Sequence, residues 1–223
     1  MNLLDRTLGA LACDIPGATR IFREHRLDFC CGGDRPLREA AVRRGLDPAV
    51  VAAELATLHD APPARDWRAV ERQALIDHIT ARYHARHREQ LPELALLAAR
   101  VEQVHGGHPD CPTGLAAALA ETHEELEQHM QKEERILFPL LARGAGAQAA
   151  APVAVMRAEH VTHGAGLDRI ATLAHELRLP AAACGTWRAL YAGLAQFRDD
   201  LIEHIHLENN VLFAGVEGAG RHD

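Results

Sequence analysis

The sequence is poor in aromatic residues and contains no long apolar run. Only five Phe, two Trp and two Tyr occur in 223 residues. No stretch of about 18 uncharged apolar residues is present, so no membrane-spanning helix is predicted. The first residues include Asp5 and Arg6 and lack the apolar core of a secretory signal. A basic block is also missing, and a net charge of −7 gives little electrostatic support for nucleic-acid binding.

Cysteine is scarce, whereas histidine is abundant. The five cysteines are an odd number, and only Cys30 and Cys31 are neighbours. Adjacent cysteines rarely form a structural disulfide, so reduced thiols and a cytoplasmic location are expected. The 15 histidines outnumber all the aromatic residues together. Metal binding is therefore the first hypothesis to test.

Four long helices are predicted in the larger, C-terminal part of the chain. No sustained alternation of β-branched residues occurs, so strands are not expected. Breaks rich in Gly and Pro separate the helices, and such short connections favour an all-α, up-down-up-down four-helix bundle. The predicted helices span residues 68–103, 114–141, 152–177 and 186–213.

A proline-rich segment divides this bundle from a smaller front piece. Pro62 and Pro63 would stop any helix that enters the segment. The predicted organisation is a small helical domain over residues 1–60, a linker over 61–67 and the bundle over 68–215. In the front piece, Asp47 followed by Pro48 is typical of a helix start. The Cys-Cys-Gly-Gly sequence at residues 30–33 interrupts the helices.

Two predicted bundle helices carry a His and a Glu, four residues apart, within an apolar stripe. The pairs are His129 with Glu133 and His204 with Glu208, and the first stripe continues to Ile136. The spacing places both side chains of a pair on one helix face. A carboxylate that faces a bundle core is costly unless it is neutralised, and a metal ion neutralises it directly.

The first and third helices each add one histidine. His160 lies in the apolar stripe of the third helix. In the first helix, the helical wheel favours His87, whereas the spacing favours His84. His84 precedes His129 by 45 residues, and His160 precedes His204 by 44. Because these spacings describe a duplicated helical hairpin, we predict that His84 is the ligand.

Four His and two Glu around one point suit a pair of metal ions. Two imidazoles for each ion and two bridging carboxylates fit iron, although the same donors suit manganese and zinc. The sequence therefore predicts a non-haem di-iron centre with an oxo bridge. His87 and His163 are expected to support the ligands, while His206 is expected in solvent. The predicted ligands are His84, His129, Glu133, His160, His204 and Glu208.

Four blocks of the sequence resemble a known family. They are the Asp-Phe-Cys-Cys-Gly-Gly sequence at residues 28–33 and residues 82–94, 133–139 and 208–213. The chain resembles the iron-sulfur cluster repair di-iron proteins of the ScdA/YtfE type, which combine a hemerythrin-like bundle with an N-terminal ScdA-type domain. The resemblance implies a di-iron centre that helps to restore clusters damaged by nitric oxide or oxidants. It assigns the ligand role to the same six residues.

The expected function is repair of iron-sulfur clusters by supply or mobilisation of iron. Reaction of nitric oxide at the di-iron centre is an additional expected activity. Damaged or apo iron-sulfur proteins are the expected partners, and nitric oxide or oxygen the expected small ligands. Cys30 and Cys31 are candidate thiols for redox, thiol-transfer or metal-handing chemistry. We expect a monomer or homodimer that binds neither nucleic acid nor membrane. The alternative is a hemerythrin-like module that binds oxygen or senses oxygen or nitric oxide.

Overall fold

The computed structural model describes residues 2–60 and 65–216 of the chain. These residues form two compact units. The front unit comprises the described residues of Met1–Leu75 and Ile202–Asp223, and the bundle unit comprises Ile76–Leu201. Most of the predicted linker, with Pro62 and Pro63, lies outside the described residues.

Short helices build the N-terminal part of the front unit. The Asp47 carboxylate accepts a hydrogen bond from the Ala49 N–H at 2.8 Å, and Pro48 is the first helical residue. This is the helix start that the sequence predicts. Apolar faces of the helices enclose a core that includes Phe22 and Phe29. The helices are α1 Leu8–Asp14, α2 Ala18–Glu24, α3 Leu37–Arg43 and α4 Pro48–Ala56.

The helices that follow form the predicted up-down-up-down bundle. They are α5 Arg72–Ile79, α6 Ala85–His105, α7 Leu115–Lys132, α8 Phe138–Ala142, α9 Gly146–Leu173 and α10 Gly185–Leu207. Cross-helix contacts show the antiparallel order of α6 and α7. Arg88 binds Glu127 at 2.7 Å, while Glu102 accepts from the Ala116 N–H at 2.9 Å. The prediction of an all-α bundle is confirmed, and the two boundaries between the units fall within α5 and within α10.

The described residues contain three π-helical turns, two that each join consecutive helices and one that follows α10. They cover Thr80–His84, Glu133–Leu137 and Glu208–Leu212. A π turn adds one residue to a helical turn and shifts every later side chain around the helix. For this reason Ile136, which the sequence places in the apolar stripe, is 55% exposed, and the next residue, Leu137, is buried instead. Each π turn begins or ends at a predicted ligand.

The third bundle helix differs from its predicted bounds. It begins at Gly146 rather than at Pro152, and the proline is accommodated inside the helix. It ends at Leu173, because residues 175–177 have φ between 50° and 58° and turn the chain out of the helix. The described residues contain no strand, although Thr7 and Pro36 form an isolated bridge. No described helix is long and apolar enough to cross a membrane.

Candidate metal centre

Glu133 lies between two histidines of the bundle unit. Its side chain is fully buried; Oε2 is 3.5 Å from His84 Nε2, and Oε1 is 3.4 Å from His129 Nε2. Among the described residues, neither carboxylate oxygen has a hydrogen-bond partner, which is costly for a buried group. Two donors that each bind one metal ion at about 2.1 Å lie roughly 3.0–3.5 Å apart. Each oxygen of Glu133 is therefore placed to share an ion with one histidine.

His160 forms a three-residue group with His129 and Glu133. The Nε2 atoms of the two histidines are 3.1 Å apart, and both rings are buried. The ligand atoms of the three residues all lie within 4.8 Å of one another. Two imidazoles and a carboxylate are donors that iron, manganese and zinc accept. The group can hold one ion beside Glu133, while His84 faces the other oxygen.

His204 and Glu208 form the second His-x3-Glu pair, which lies in the front unit. Both side chains are buried, and His204 Nε2 is 3.1 Å from Glu208 Oε1. Glu208 begins a π-helical turn, as Glu133 does in the other half of the repeat. The two halves of the repeat therefore have the same local backbone at their carboxylates.

Two more carboxylates orient histidines of the bundle unit. Glu134 Oε1 accepts a hydrogen bond from His84 Nδ1 at 2.8 Å, and Glu159 Oε2 accepts one from His129 Nδ1 at 2.8 Å. Because an ionised carboxylate can only accept, Nδ1 donates the hydrogen bond, and Nε2 is the ring nitrogen that remains available to a metal. The helical stripes did not predict Glu134 and Glu159, since each adjoins a predicted ligand in the chain and so lies outside its stripe.

Neighbouring cations keep these two carboxylates charged. The hydrogen bond from His84, aided by one from Arg88 at 2.9 Å, lowers the pKa of Glu134 to about 2. Burial acts to raise the pKa of Glu159, but hydrogen bonds from Lys132 and His129 outweigh it and lower that pKa. Both groups therefore stay anionic near neutral pH and can continue to accept from the histidines.

His87 and His163 are also buried, each one turn from a predicted ligand. Within the part of the chain that the structure describes, His84 belongs to a group of potential metal ligands and His87 does not. The His163 ring meets the His129 ring at a centroid distance of 4.8 Å, and burial lowers the pKa of His163 to about 3. The choice of His84 over His87 stays a prediction.

The candidate thiols lie in a loop of the front unit. Cys30 and Cys31 are partly exposed and reduced, with their Sγ atoms 3.7 Å apart. Asn209 Nδ2 donates to the Cys30 carbonyl at 2.9 Å, and Asn210 Nδ2 donates to the Phe29 carbonyl at 3.0 Å. Both asparagines lie in the block at residues 208–213, but the sequence predicted no role for either of them.

His206 is buried, contrary to the expectation that it lies in solvent. Its side chain is 3% exposed, and its ring meets Phe29 edge-on at a centroid distance of 5.3 Å. His206 Nδ1 is also 3.0 Å from Asn210 Nδ2. A helical wheel describes one helix alone, so it could not reveal that the core of the front unit covers this face.

A separate thiol, Cys184, differs from the remaining cysteines in its surroundings. Its Sγ is 3.2 Å from His105 Nε2. The Trp187 backbone N–H, aided by the His105 ring, lowers the pKa of Cys184 to about 7. Burial instead raises the pKa of Cys13 to about 11. Cys184 is therefore the more reactive of these two thiols at neutral pH.

Comparison with known protein families defines the class of protein. Residues 75–216 match the Hemerythrin HHE cation binding domain, and this range contains all six predicted ligands. Residues 4–59 match the ScdA N-terminal domain, which is described as a domain of unknown function. The histidine-rich bundle is thus a cation-binding hemerythrin domain.

Individual relatives narrow this class. The chain is 52% identical over 214 residues to the iron-sulfur cluster repair protein YtfE of Yersinia pseudotuberculosis serotype O:1b, covering 96% of this chain and 97% of the relative. YtfE of Yersinia pestis strain Pestoides F shows the same identity and coverage. The chain therefore belongs to the YtfE family of hemerythrin-domain proteins.

Proposed function

We propose that the chain holds two iron ions and that His84, His129, Glu133, His160, His204 and Glu208 are their ligands. The buried Glu133 carboxylate supports this proposal most directly, because each of its oxygens faces a histidine nitrogen and neither has a hydrogen bond among the described residues. The repeated His-x3-Glu pair supports a second bridging carboxylate at Glu208. The hemerythrin match contains both halves of the repeat.

The donor set fits iron on chemical grounds. Four imidazoles and two carboxylates are acceptable to iron, and the ionised Glu134 and Glu159 increase the basicity of His84 and His129. When bound, an oxo-bridged iron pair would supply mobile iron and a coordination position for nitric oxide or oxygen. Glu134 and Glu159 hold Nδ1 of the two histidines, so that Nε2 is the nitrogen left for a metal, and both rings are buried from water.

The biological role that we propose is repair of damaged iron-sulfur clusters. This step rests on the relatives that are 52% identical over nearly the whole chain and are named as iron-sulfur cluster repair proteins. The partners would be damaged or apo iron-sulfur proteins in the cytoplasm, and the damage would come from nitric oxide or oxidants. The alternative of an oxygen-binding or sensing module is less well supported, because the match to the repair proteins covers 96% of this chain and so extends over both of its domains.

Iron quantitation followed by a cluster-transfer assay tests both steps. The purified chain is loaded with Fe²⁺, freed of excess metal and analysed for iron, and two ions per chain are expected. The loaded chain is then mixed with a nitric-oxide-damaged [4Fe–4S] protein under reducing conditions with sulfide, and recovery of the cluster is followed by absorption. Protein with Glu133→Leu serves as the control, since it should retain little iron and restore little cluster.

Two results would contradict the proposal at different steps. A saturated content of one iron, or retention of zinc alone, would refute the di-iron centre. A normal iron content without any cluster recovery would refute the repair role and leave the metal centre intact. In that case, reversible oxygen or nitric oxide binding by the loaded chain would favour the alternative.

A further inference from the structure

Three potential metal ligands converge in the loop that precedes α3. They are the carboxylate of Asp28 and the thiols of Cys30 and Cys31, and their ligand atoms all lie within 4.8 Å of one another. The two sulfur atoms are 3.7 Å apart, and Cys30 Sγ is 3.6 Å from Asp28 Oδ1. None of the six ligands proposed for the di-iron centre belongs to this group.

These separations match a tetrahedral metal site. Two thiolates at about 2.3 Å from one ion, with a tetrahedral angle between them, lie about 3.8 Å apart. A thiolate and a carboxylate oxygen at about 2.1 Å from the same ion lie about 3.6 Å apart. Both values agree with the observed distances. We propose that Asp28, Cys30 and Cys31 bind one divalent transition-metal ion of the Zn²⁺ or Fe²⁺ kind, separately from the di-iron centre.

The backbone of the loop is held in the geometry that this site requires. Asp28 Oδ1 accepts a hydrogen bond from the Cys31 N–H at 2.9 Å, which folds the carboxylate back over the thiols. Asn209 fixes the carbonyl of Cys30 at 2.9 Å. The three donors are thus brought together before any metal binds, so less conformational entropy is lost on binding.

Binding of a divalent ion to this loop requires that both thiols lose their protons. Binding forms two metal–sulfur bonds and one metal–oxygen bond and releases one proton from each thiol, without oxidation.

Three protein donors leave the fourth tetrahedral position open. Cys30 and Cys31 are partly exposed and Asp28 is exposed, so the ion would be accessible from solvent. Closed structural zinc sites have four protein ligands, whereas catalytic sites have three and leave one position for water or substrate. The geometry therefore fits an ion that an external ligand can reach rather than one that only stabilises the fold.

Cobalt titration of the full-length chain tests this inference. Co²⁺ is added under anaerobic, reducing conditions to protein that already carries iron. The readout is thiolate-to-cobalt charge-transfer absorption together with the visible bands of tetrahedral Co²⁺. Because the proposed di-iron ligands include no thiolate, charge transfer reports on cysteine ligands alone. One equivalent of Co²⁺ per chain should produce the signal, and Zn²⁺ should displace it.

Matched variants identify the ligands. The substitutions Cys30→Ser and Cys31→Ser should each abolish the two-thiolate spectrum, while Asp28→Asn should weaken Co²⁺ binding by at least about tenfold. Cys184→Ser and Cys13→Ser remove thiols elsewhere and should leave the titration unchanged. Iron content should stay normal in the Cys30 and Cys31 variants, which also shows that they fold. An absent charge-transfer signal in the parent chain, its persistence in Cys30→Ser and Cys31→Ser, or unaltered affinity in Asp28→Asn would overturn the proposal.

Discussion

Replacement of Glu133 by leucine should have opposite effects on the metal-free and iron-loaded protein. Glu133 is fully buried, and neither of its oxygens has a hydrogen bond among the described residues. Each buried acceptor left without a partner costs about 1–3 kcal/mol. We take the lower end of this range for each oxygen, because His84 and His129 lie nearby. Replacement of Glu133 by leucine should then stabilise the metal-free fold by about 2 kcal/mol.

This free energy converts into a measurable change of melting temperature. For a chain of this length, 1 kcal/mol corresponds to about 2–4 °C, so metal-free protein with Glu133→Leu should melt about 4–8 °C above the parent chain. Circular dichroism of chelator-treated samples measures this difference. Iron-loaded parent protein should gain stability by mass action, whereas the variant should gain little because it loses a bridging ligand.

A matched control separates this effect from the general effect of adding a leucine. Glu125 lies on the same helix but is exposed. Glu125→Leu should change neither iron content nor the metal-free melting temperature by more than about 1–2 °C. The reasoning fails if metal-free protein with Glu133→Leu melts at or below the parent temperature, or if it retains two iron ions.

His84→Ala should lower iron content far more than His87→Ala, and the reverse order in metal analysis would show that the helical wheel was the better guide. Glu134→Gln should weaken iron binding by roughly 10–100-fold in competition with a chelator, since it removes the anionic acceptor that orients His84; unchanged affinity would refute that role. Alkylation of Cys184 by iodoacetamide, followed by peptide mass spectrometry, should rise through pH 7 because its pKa is lowered to about 7, whereas Cys13, whose pKa is raised to about 11, should stay unreactive. Equal rates for the two thiols at pH 7 would contradict this assignment.

The bundle could be predicted from the sequence because its signals are local and repeated. Long helical stretches, Gly- and Pro-rich breaks and the missing β pattern are all visible without tertiary information. The His-x3-Glu pairs stand out for the same reason, because each lies within one turn of a single helix. The duplicated spacing selected His84 without any assumption about helical phase.

The π turns account for the main failure of the helical wheel. The wheel assumes 100° per residue, and a π turn adds a residue, so positions beyond it are assigned to the wrong face. Ile136 is the clearest case, since it was predicted in the apolar stripe and is 55% exposed. A π turn also covers Thr80–His84, and His84 at its end and His87 beyond it are both buried, so the wheel alone cannot choose between them. No propensity in these segments distinguishes a π turn from an α turn.

Contacts distant in sequence could not be predicted at all. Asn210 donates to the Phe29 carbonyl, 181 residues away in the chain. His206 is buried against the same residue, although its own helix gives no indication of a covering element. Glu159 is similar, because its role becomes visible only when α9 is placed beside His129. Each of these assignments needs the packing of one segment against another, which a single sequence does not encode as a periodic pattern.

The close packing around Gly33 leads to a last prediction. A Cβ atom added at Gly33 would lie 2.6 Å from Asn210 Oδ1 and 2.6 Å from the Phe29 carbonyl oxygen. Since the second of these atoms is backbone, the loop that carries Cys30 must shift, and Gly33→Ala should destabilise the chain by about 1–3 kcal/mol in urea unfolding. The matched control is Gly164→Ala within α9, where an added Cβ meets nothing within 4 Å and should stabilise the helix by about 0.5–1 kcal/mol. Gly33→Ala should also weaken Co²⁺ binding by the thiols, because the donor distances depend on the loop backbone. Unchanged stability and unchanged Co²⁺ affinity in Gly33→Ala would show that the loop is not held as tightly as its contacts indicate.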